Sequence, residues 1–229
     1  MILRKNICKN NNDHQFVVDY IENNFPTNSR ILDIGGAANC WAKKHVTHLA
    51  DYFCDDSHRN EFTGTNIIFY DIDIENYENW KPVFEDVEKN GLFDFVICTH
   101  TLEDLNYPEN ICKIINRIGK QGFISVPSKY SEYCIFESHL NLNGHRGYHH
   151  HRWIYRLKND ILIGYPKMNT WDKYNNTNLE KANSTYTEIN FLWKDNFKFN
   201  FISPHQLLDN RKGPPLIHEI AEMDDLILP

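Results

Sequence analysis

Short apolar runs alternate with amphipathic stretches through the first 127 residues. Behind Asp13, a helix N-cap, Phe16, Val17, Tyr20 and Ile21 recur on one helical face, and Pro26 ends that helix. Ile31, Leu32 and Ile34 then form a run over residues 30–35 that holds a single acid, Asp33. Continuous apolar runs of this kind mark strands buried on both faces. A helix is expected over 40–48, and a second strand near 51–54, ending at Asp55-Asp56. Residues 66–70 read as a third strand, followed by Asp71, Asp73 and Glu75, and residues 94–100 as a fourth. Pro108 suits the first turn of a helix whose Ile111, Ile114, Ile115 and Ile118 share a stripe. Gly119 and Gly122 close it before a fifth strand over 123–127.

Beyond residue 127 the pattern changes. Residues 128–152 are polar and histidine-rich, long for a plain connection, and loops of that length are usually functional or disordered. Residues 152–158 and 161–165 read as a hairpin turning at Asn159-Asp160. A second hairpin is expected from 188–193 and 197–202, turning at Lys194-Asp195-Asn196. Residues 168–185 read as a surface loop, and the asparagine-rich residues 1–12 as a loose polar tail. The alternation of strand and helix, and a length of 229 residues, suit an α/β domain.

The most informative stretch follows the first strand. Gly35-Gly36 and then Ala37 and Ala38 let the chain turn tightly into a helix and approach a ligand closely. In doubly wound sheets this is where a nucleotide-like cofactor binds, at the carboxyl ends of the strands. The acid inside the strand argues against the dinucleotide version, whose acid comes at the end of the second strand. Asp33 before the glycines resembles the first motif of class I S-adenosylmethionine-dependent methyltransferases. Residues 93–128 resemble the fourth-strand to fifth-strand segment of that family, whose loop commonly reads His-x-Leu-Glu-His; here it reads His100-Thr101-Leu102-Glu103-Asp104.

That resemblance implies a Rossmann-like, doubly wound, mostly parallel seven-stranded sheet with helices on both faces, and S-adenosyl-L-methionine as cofactor. Asp33 and the backbone of Gly35, Gly36 and Ala37 would border its methionine end, although Ala37 and Asn39 replace the second and third glycines of the family motif. Asp55, with Asp56 as neighbour, would hold the ribose, and Asp71, with Asp73 as alternate, the adenine amino group. Thr99 and His100 would face the methyl donor and the acceptor. Residues 13–229 would form one domain, with 13–127 as the cofactor half and 128–229 supplying the acceptor pocket and completing the sheet.

The second feature is Gly144-His145-Arg146-Gly147-Tyr148-His149-His150-His151-Arg152-Trp153. In an extended segment His149 and His151 would share a face while His150 points away. These histidines could bind a metal, given a further ligand such as Glu137 or His139, or take a proton from an acceptor hydroxyl near neutral pH. The segment from Thr99 to Trp153 also resembles a narrower methyltransferase branch associated with glycan-modifying genes. On that resemblance, His100, His150 and His151 are candidate catalytic residues. Glu132, Glu137, Arg146, His149 and Arg152 would bind a small polar acceptor, a sugar or nucleotide-sugar hydroxyl, and no resident metal is required.

Composition narrows the rest. A net charge of -7 and a pI near 5.9 disfavour a nucleic-acid-coating protein, which needs a basic face. The six cysteines contain no Cys-x-x-Cys pair and read as small buried hydrophobes. The opening residues lack the apolar core of a signal peptide and no run reaches transmembrane length, so a cytoplasmic location without membrane contact is expected. Three rival readings stay open: a methyltransferase-like binding module without catalysis, a metal-dependent enzyme, and a methyltransferase acting on RNA or protein.

Overall fold

A computed structural model describes residues 1–8, 12–36, 40–52, 62, 64–133, 147–148, 150–167 and 188–203. Its centre is a seven-stranded sheet built from β1 (Ile2–Cys8), β2 (Ile31–Ile34), β3 (His48–Asp51), β4 (Ile68–Asp71), β5 (Phe95–Thr99), β6 (Gln121–Pro127) and β9 (Glu188–Lys194). The spatial order is β1-β9-β6-β5-β2-β3-β4. β9 pairs antiparallel with both β1 and β6, and the β6-to-β4 pairings are all parallel. The sheet is therefore mostly parallel, in the Rossmann-like arrangement expected.

Strand alternation sorts the core into two layers. Ile31, Phe95, Ile97, Phe123 and Leu192 pack with Val17 and Ile21 of α1 (Asn12–Asn24). Leu32, Ile34, Val96, Cys98, Ile124 and Val126 face the other way. They meet Val83 of α2 (Lys81–Asn90) and the isoleucine stripe of α3 (Pro108–Ile118), as that stripe foretells. α2 and the 3-10 turn Tyr77–Trp80 before it carry few apolar residues and are not legible in the pattern, yet Trp80 and Val83 are wholly buried.

On the second face a three-stranded sheet adds β7 (Trp153–Lys158), β8 (Ile161–Pro166) and β10 (Lys198–Phe201). β7 and β8 form the expected hairpin, with Asn159 and Asp160 both at positive φ as such a tight turn requires. A short helix, α4 (Lys129–Tyr133), leaves β6.

Four expectations are corrected. Residues 1–12 are not all a loose tail, because Ile2–Cys8 pairs along β9 and covers an otherwise open edge. The second hairpin does not form: β9 enters the large sheet, while β10 pairs in parallel with β8. Both strands have the right pattern, but local pattern does not choose a partner. No helix spans 40–48 among the described residues; Trp41–His45 are successive turns. β3 consequently starts earlier and ends at Asp51 rather than at Asp55.

At the amino ends of the strands Asp86 gathers Arg30, the Tyr70 hydroxyl at 2.8 Å and His48 at 3.8 Å. Burial and the Arg30 charge, only partly offset by Asp86, push His48 down to about 4. This end is a structural anchor. No described helix is long and apolar enough to cross a membrane.

Gly122 lets β6 lie against β5: a Cβ there would sit 2.1 Å from the Val96 carbonyl oxygen and 3.0 Å from the Trp193 ring. Gly122→Ala is expected to cost about 1–3 kcal/mol, the range for overpacking. Chemical denaturation checks this, and an unchanged midpoint would show that the β5–β6 spacing is not limiting.

Candidate functional site

After β2 the chain builds β3 and then β4 toward one edge, then returns to place β5 on β2's other side. The order of construction reverses between β2 and β5. In open α/β sheets a ligand crevice forms at that reversal, outside the carboxyl ends of the strands. Asp33, Gly35, Gly36, Thr99, His100 and Thr101 all lie at it.

Gly35 has φ +75, a left-handed conformation, and its N–H donates to the Ala50 carbonyl at 2.9 Å. Where its Cβ would stand, Thr101 Oγ1 is 2.3 Å away, and that hydroxyl donates to the Thr99 and Ile34 carbonyls. The loops after β2 and β5 thus interlock through a missing side chain. At Gly36 a Cβ would meet Asp33 Oδ2 at 2.1 Å. The carboxylate folds back against the turn.

Asp33 is 1% exposed. The Cys40 thiol donates to Oδ2 at 3.2 Å, while Oδ1 has no hydrogen-bond partner among the described residues. Burial raises this carboxyl to about 7; the Cys40 bond works against that shift and the Asp51 charge adds to it. Asp51 ends β3 and Asp71 ends β4, so three neighbouring strands each bring an acid to this rim. Asp55 and Asp56, expected at the end of the second strand, lie outside the described residues, as do Ala37 and Asn39.

His100 follows β5 at φ 50, uncommon for a residue with a side chain. Its Nε2 is 3.0 Å from Glu188 Oε1 and its Nδ1 is 3.4 Å from Glu103 Oε1. Burial disfavours a charged ring, but the bonds and charges of Glu103 and Glu188 outweigh it and hold His100 up to about 10. Burial pushes Glu103 up, against the pull of His100. An imidazolium with both nitrogens facing carboxylates has no lone pair to offer, so in this arrangement His100 joins two buried acids rather than accepting a proton. Glu188 reaches it from β9, and no motif in the sequence marks that residue.

Thr99 accepts a hydrogen bond from Trp41 Nε1 at 3.3 Å, and Trp41 stacks on His14 with ring centroids 4.1 Å apart. Both aromatic rings at this rim are also absent from the sequence reading.

The histidine segment adds a second wall. An open cleft of about 440 Å³ is lined by Asn106, His150, His151, Arg152, Trp153, Pro166 and Lys167. Arg152 is pinned through its N–H to the Glu103 carbonyl at 2.7 Å and through Nε to the Asp104 carbonyl at 2.9 Å. Trp153 Nε1 donates to the Leu105 carbonyl at 2.8 Å. The cleft is thus tied directly to the loop that follows β5.

Glu132, expected to bind an acceptor, is 1% exposed and already occupied. One oxygen is 2.6 Å from His151 Nδ1, and the other accepts from Lys167 Nζ at 2.5 Å. It braces the cleft wall. Burial opposes charge on His151, but the Glu132 hydrogen bond and charge raise its pKa. The expected alternation along an extended segment does not occur here. Residue 150 lies in a turn, with the His151 N–H donating to the Tyr148 carbonyl at 3.3 Å, so His150 and His151 approach the same carboxylate, Asp104. His149, Arg146 and Glu137 lie outside the described residues.

No protein-family profile and no curated protein matches the chain. Several solved structures resemble it. The N-terminal domain of EvdMO1 in the presence of S-adenosylhomocysteine and D-fucose is 19% identical, with a TM-score of 0.39 over 54% of this chain and 54% of that one. The matched region of that structure is about half its length. The same domain with S-adenosylhomocysteine bound gives 14%, 0.44, 81% and 82%. A SAM-dependent methyltransferase of Thermotoga maritima gives 10%, 0.39, 80% and 97%. Likenesses this distant assign neither an activity nor a ligand to the chain.

The raised carboxyl of Asp33 has a consequence for stability. Unfolded, it titrates near 3.8; folded, near 7. Between those values the native state holds the extra proton, so this group's contribution is full at low pH and is lost as pH rises through 7. The three-unit span corresponds to about 4 kcal/mol at most. Asp33→Asn keeps the shape without the charge, and its melting temperature relative to the native chain should rise from pH 5 to pH 8. An equal difference at both pH values would mean that Asp33 stays ionised in the fold.

Proposed function

We propose that the protein transfers a methyl group from S-adenosyl-L-methionine to a small polar acceptor, a hydroxyl of a sugar or nucleotide-sugar. The observation that carries this reading is Asp33, a carboxylate buried at the reversal point of the sheet, with Oδ1 unpartnered among the described residues. A buried charge left in that state is costly, and a cationic ligand offsets the cost. S-adenosylmethionine carries two positive centres, the sulfonium and the α-ammonium, and it supplies the electrophilic methyl group when bound. The residues present suit it: a glycine turn without side chains, and acids at the ends of three adjacent strands.

Asp33 and the Gly35-Gly36 backbone would border the methionine end. Asp51, at the end of β3, takes the ribose place that the sequence reading gave to Asp55, and Asp71 keeps its place toward the adenine. Thr99 and Thr101 line the reacting centre, and His100, held by Glu103 and Glu188, fixes the floor beside it. The protein's contribution to such a transfer is orientation and exclusion of water. The acceptor enters through the cleft of Asn106, His150, Arg152 and Trp153, whose polar and aromatic lining suits a hydroxylated molecule. A hydroxyl acceptor gives up a proton on methylation. The imidazoles of His150 and His151 stand in that wall, either to receive it or to hold an ion that makes the hydroxyl more acidic.

Titration calorimetry of the full chain with S-adenosylmethionine and S-adenosylhomocysteine tests the cofactor assignment. Both should bind one per chain. Asp51→Ala should weaken each by about tenfold, the loss of a charged acceptor for ribose hydroxyls being worth about 1–2 kcal/mol. If Asp55→Ala weakens binding and Asp51→Ala does not, the ribose lies further along the chain; absence of binding to the native chain defeats the cofactor reading. An intact-mass screen of sugars and nucleotide-sugars, scored for the gain of one methyl group, tests the acceptor class.

A further inference from the structure

We infer that Asp104, His150 and His151 form a binding site for one divalent transition-metal ion of borderline softness, zinc above all, at the mouth of the acceptor cleft. One donor atom from each lies within 4.8 Å of the other two. His150 Nε2 and His151 Nε2 are each 4.0 Å from Asp104 Oδ1. That is too long for a hydrogen bond. It is about 0.6 Å wider than the roughly 3.4 Å spacing that tetrahedral bonds of about 2.0–2.1 Å impose. Small rotations of two half-exposed side chains, Asp104 and His150, close the difference.

Proximity alone would not make this a site. The second observation is what stands behind His151. Its Nδ1 lies 2.6 Å from Oε1 of Glu132, whose side chain is wholly buried. A carboxylate on one ring nitrogen fixes the tautomer and aims the lone pair of the other nitrogen outward, as outer carboxylates do behind metal-bound histidines. Here the outward nitrogen faces Asp104 and His150. The ring is clamped further by Tyr148, stacked on it with centroids 4.5 Å apart, and Lys167 secures Glu132 through its second oxygen. One ligand is therefore rigid and oriented before any ion arrives, and two adjustable ligands are hinged beside it.

The donor set limits the ion. Two imidazoles and one carboxylate suit zinc and its transition-metal neighbours and are poor for magnesium or calcium, which prefer oxygen ligands. Three protein ligands leave at least one coordination position vacant, the mark of a catalytic rather than a structural metal site. His150 and His151 line the cleft described above, so the open position is reachable by a small molecule. Asp104 is the position at which the chain departs from the His-x-Leu-Glu-His pattern, and the departure supplies the carboxylate. The ion's use rests on the proposed methyl transfer: it would grip an acceptor hydroxyl and lower its pKa. Its binding does not.

The test is made on the full chain after chelator treatment and dialysis, with no cofactor or acceptor present. Calorimetric titration with zinc chloride should give one equivalent per chain, and magnesium chloride should bind far more weakly. His150→Ala and Asp104→Asn, both at half-exposed positions, should each weaken zinc at least tenfold with unchanged circular dichroism. Glu132→Gln, which removes only the brace, should weaken it about ten- to a hundredfold. If that variant does not fold, the first two decide the matter. His45→Ala, remote from the cleft, should change nothing. No zinc uptake by the native chain, or unchanged affinity in either His150→Ala or Asp104→Asn, overturns the site. A chain that binds zinc but not S-adenosylmethionine would retain this inference and lose the methyltransferase reading; the converse result would do the opposite.

Discussion

Asp33 puts a carboxyl group where the sheet leaves it almost no contact with solvent. Its position in the run of β2 is the constraint around which the ligand end is built. The thiol of Cys40 reaches one oxygen, Gly36 leaves room for the group to fold back, and the Asp51 charge across the β2–β3 pairing makes the burden heavier. An apolar residue there would suit the core better. An acid kept there, at the point where the chain's direction of construction reverses, suits the cationic ligand proposed above. The interlock of Gly35 with Thr101 sets how closely the two loops of the crevice approach.

The same logic extends away from the crevice. Glu103, Glu132 and Glu188 are all nearly inaccessible, and each faces a basic side chain: His100 between the first and third, His151 and Lys167 on the second. Removing one partner from such an arrangement leaves an uncompensated buried charge, so the network acts as a rigid frame rather than a set of independent contacts. It ties β5, β9, α4 and the segment before β7 into one unit. The cleft wall that carries His150, His151 and Arg152 therefore cannot drift relative to the loop after β5, and a methyl donor and an acceptor held on the two would keep a constant separation.

The amino-terminal strand has a related role. β9 runs against its neighbours and presents Glu188 at its first residue, beside His100. With β6 on one side and β1 on the other, β9 is paired along its length. The edge pairing made by Ile2–Cys8 thus supports, at one remove, the acid that fixes His100.

Much of this was legible in the sequence. The strands flanking the crevice, the glycine turn, the isoleucine stripe of α3 and the β7–β8 hairpin all follow from local pattern, because a run of apolar residues or a helical stripe is a property of neighbours in the chain. Asp33 could be singled out for the same reason: an acid inside an apolar strand is conspicuous wherever it lies. What the sequence could not decide is partnership. Nothing in residues 1–8 says that they lie beside β9, nothing in Glu188 that it meets His100, and nothing in three consecutive histidines that a turn brings His150 and His151, rather than His149 and His151, toward one carboxylate. Those contacts join residues far apart in the chain, and their energy comes from a backbone ladder in the first case and from opposite charges brought together in the others. The order of residues determined which segments would be strands and where a glycine turn would stand; only packing could determine which charges share an interior.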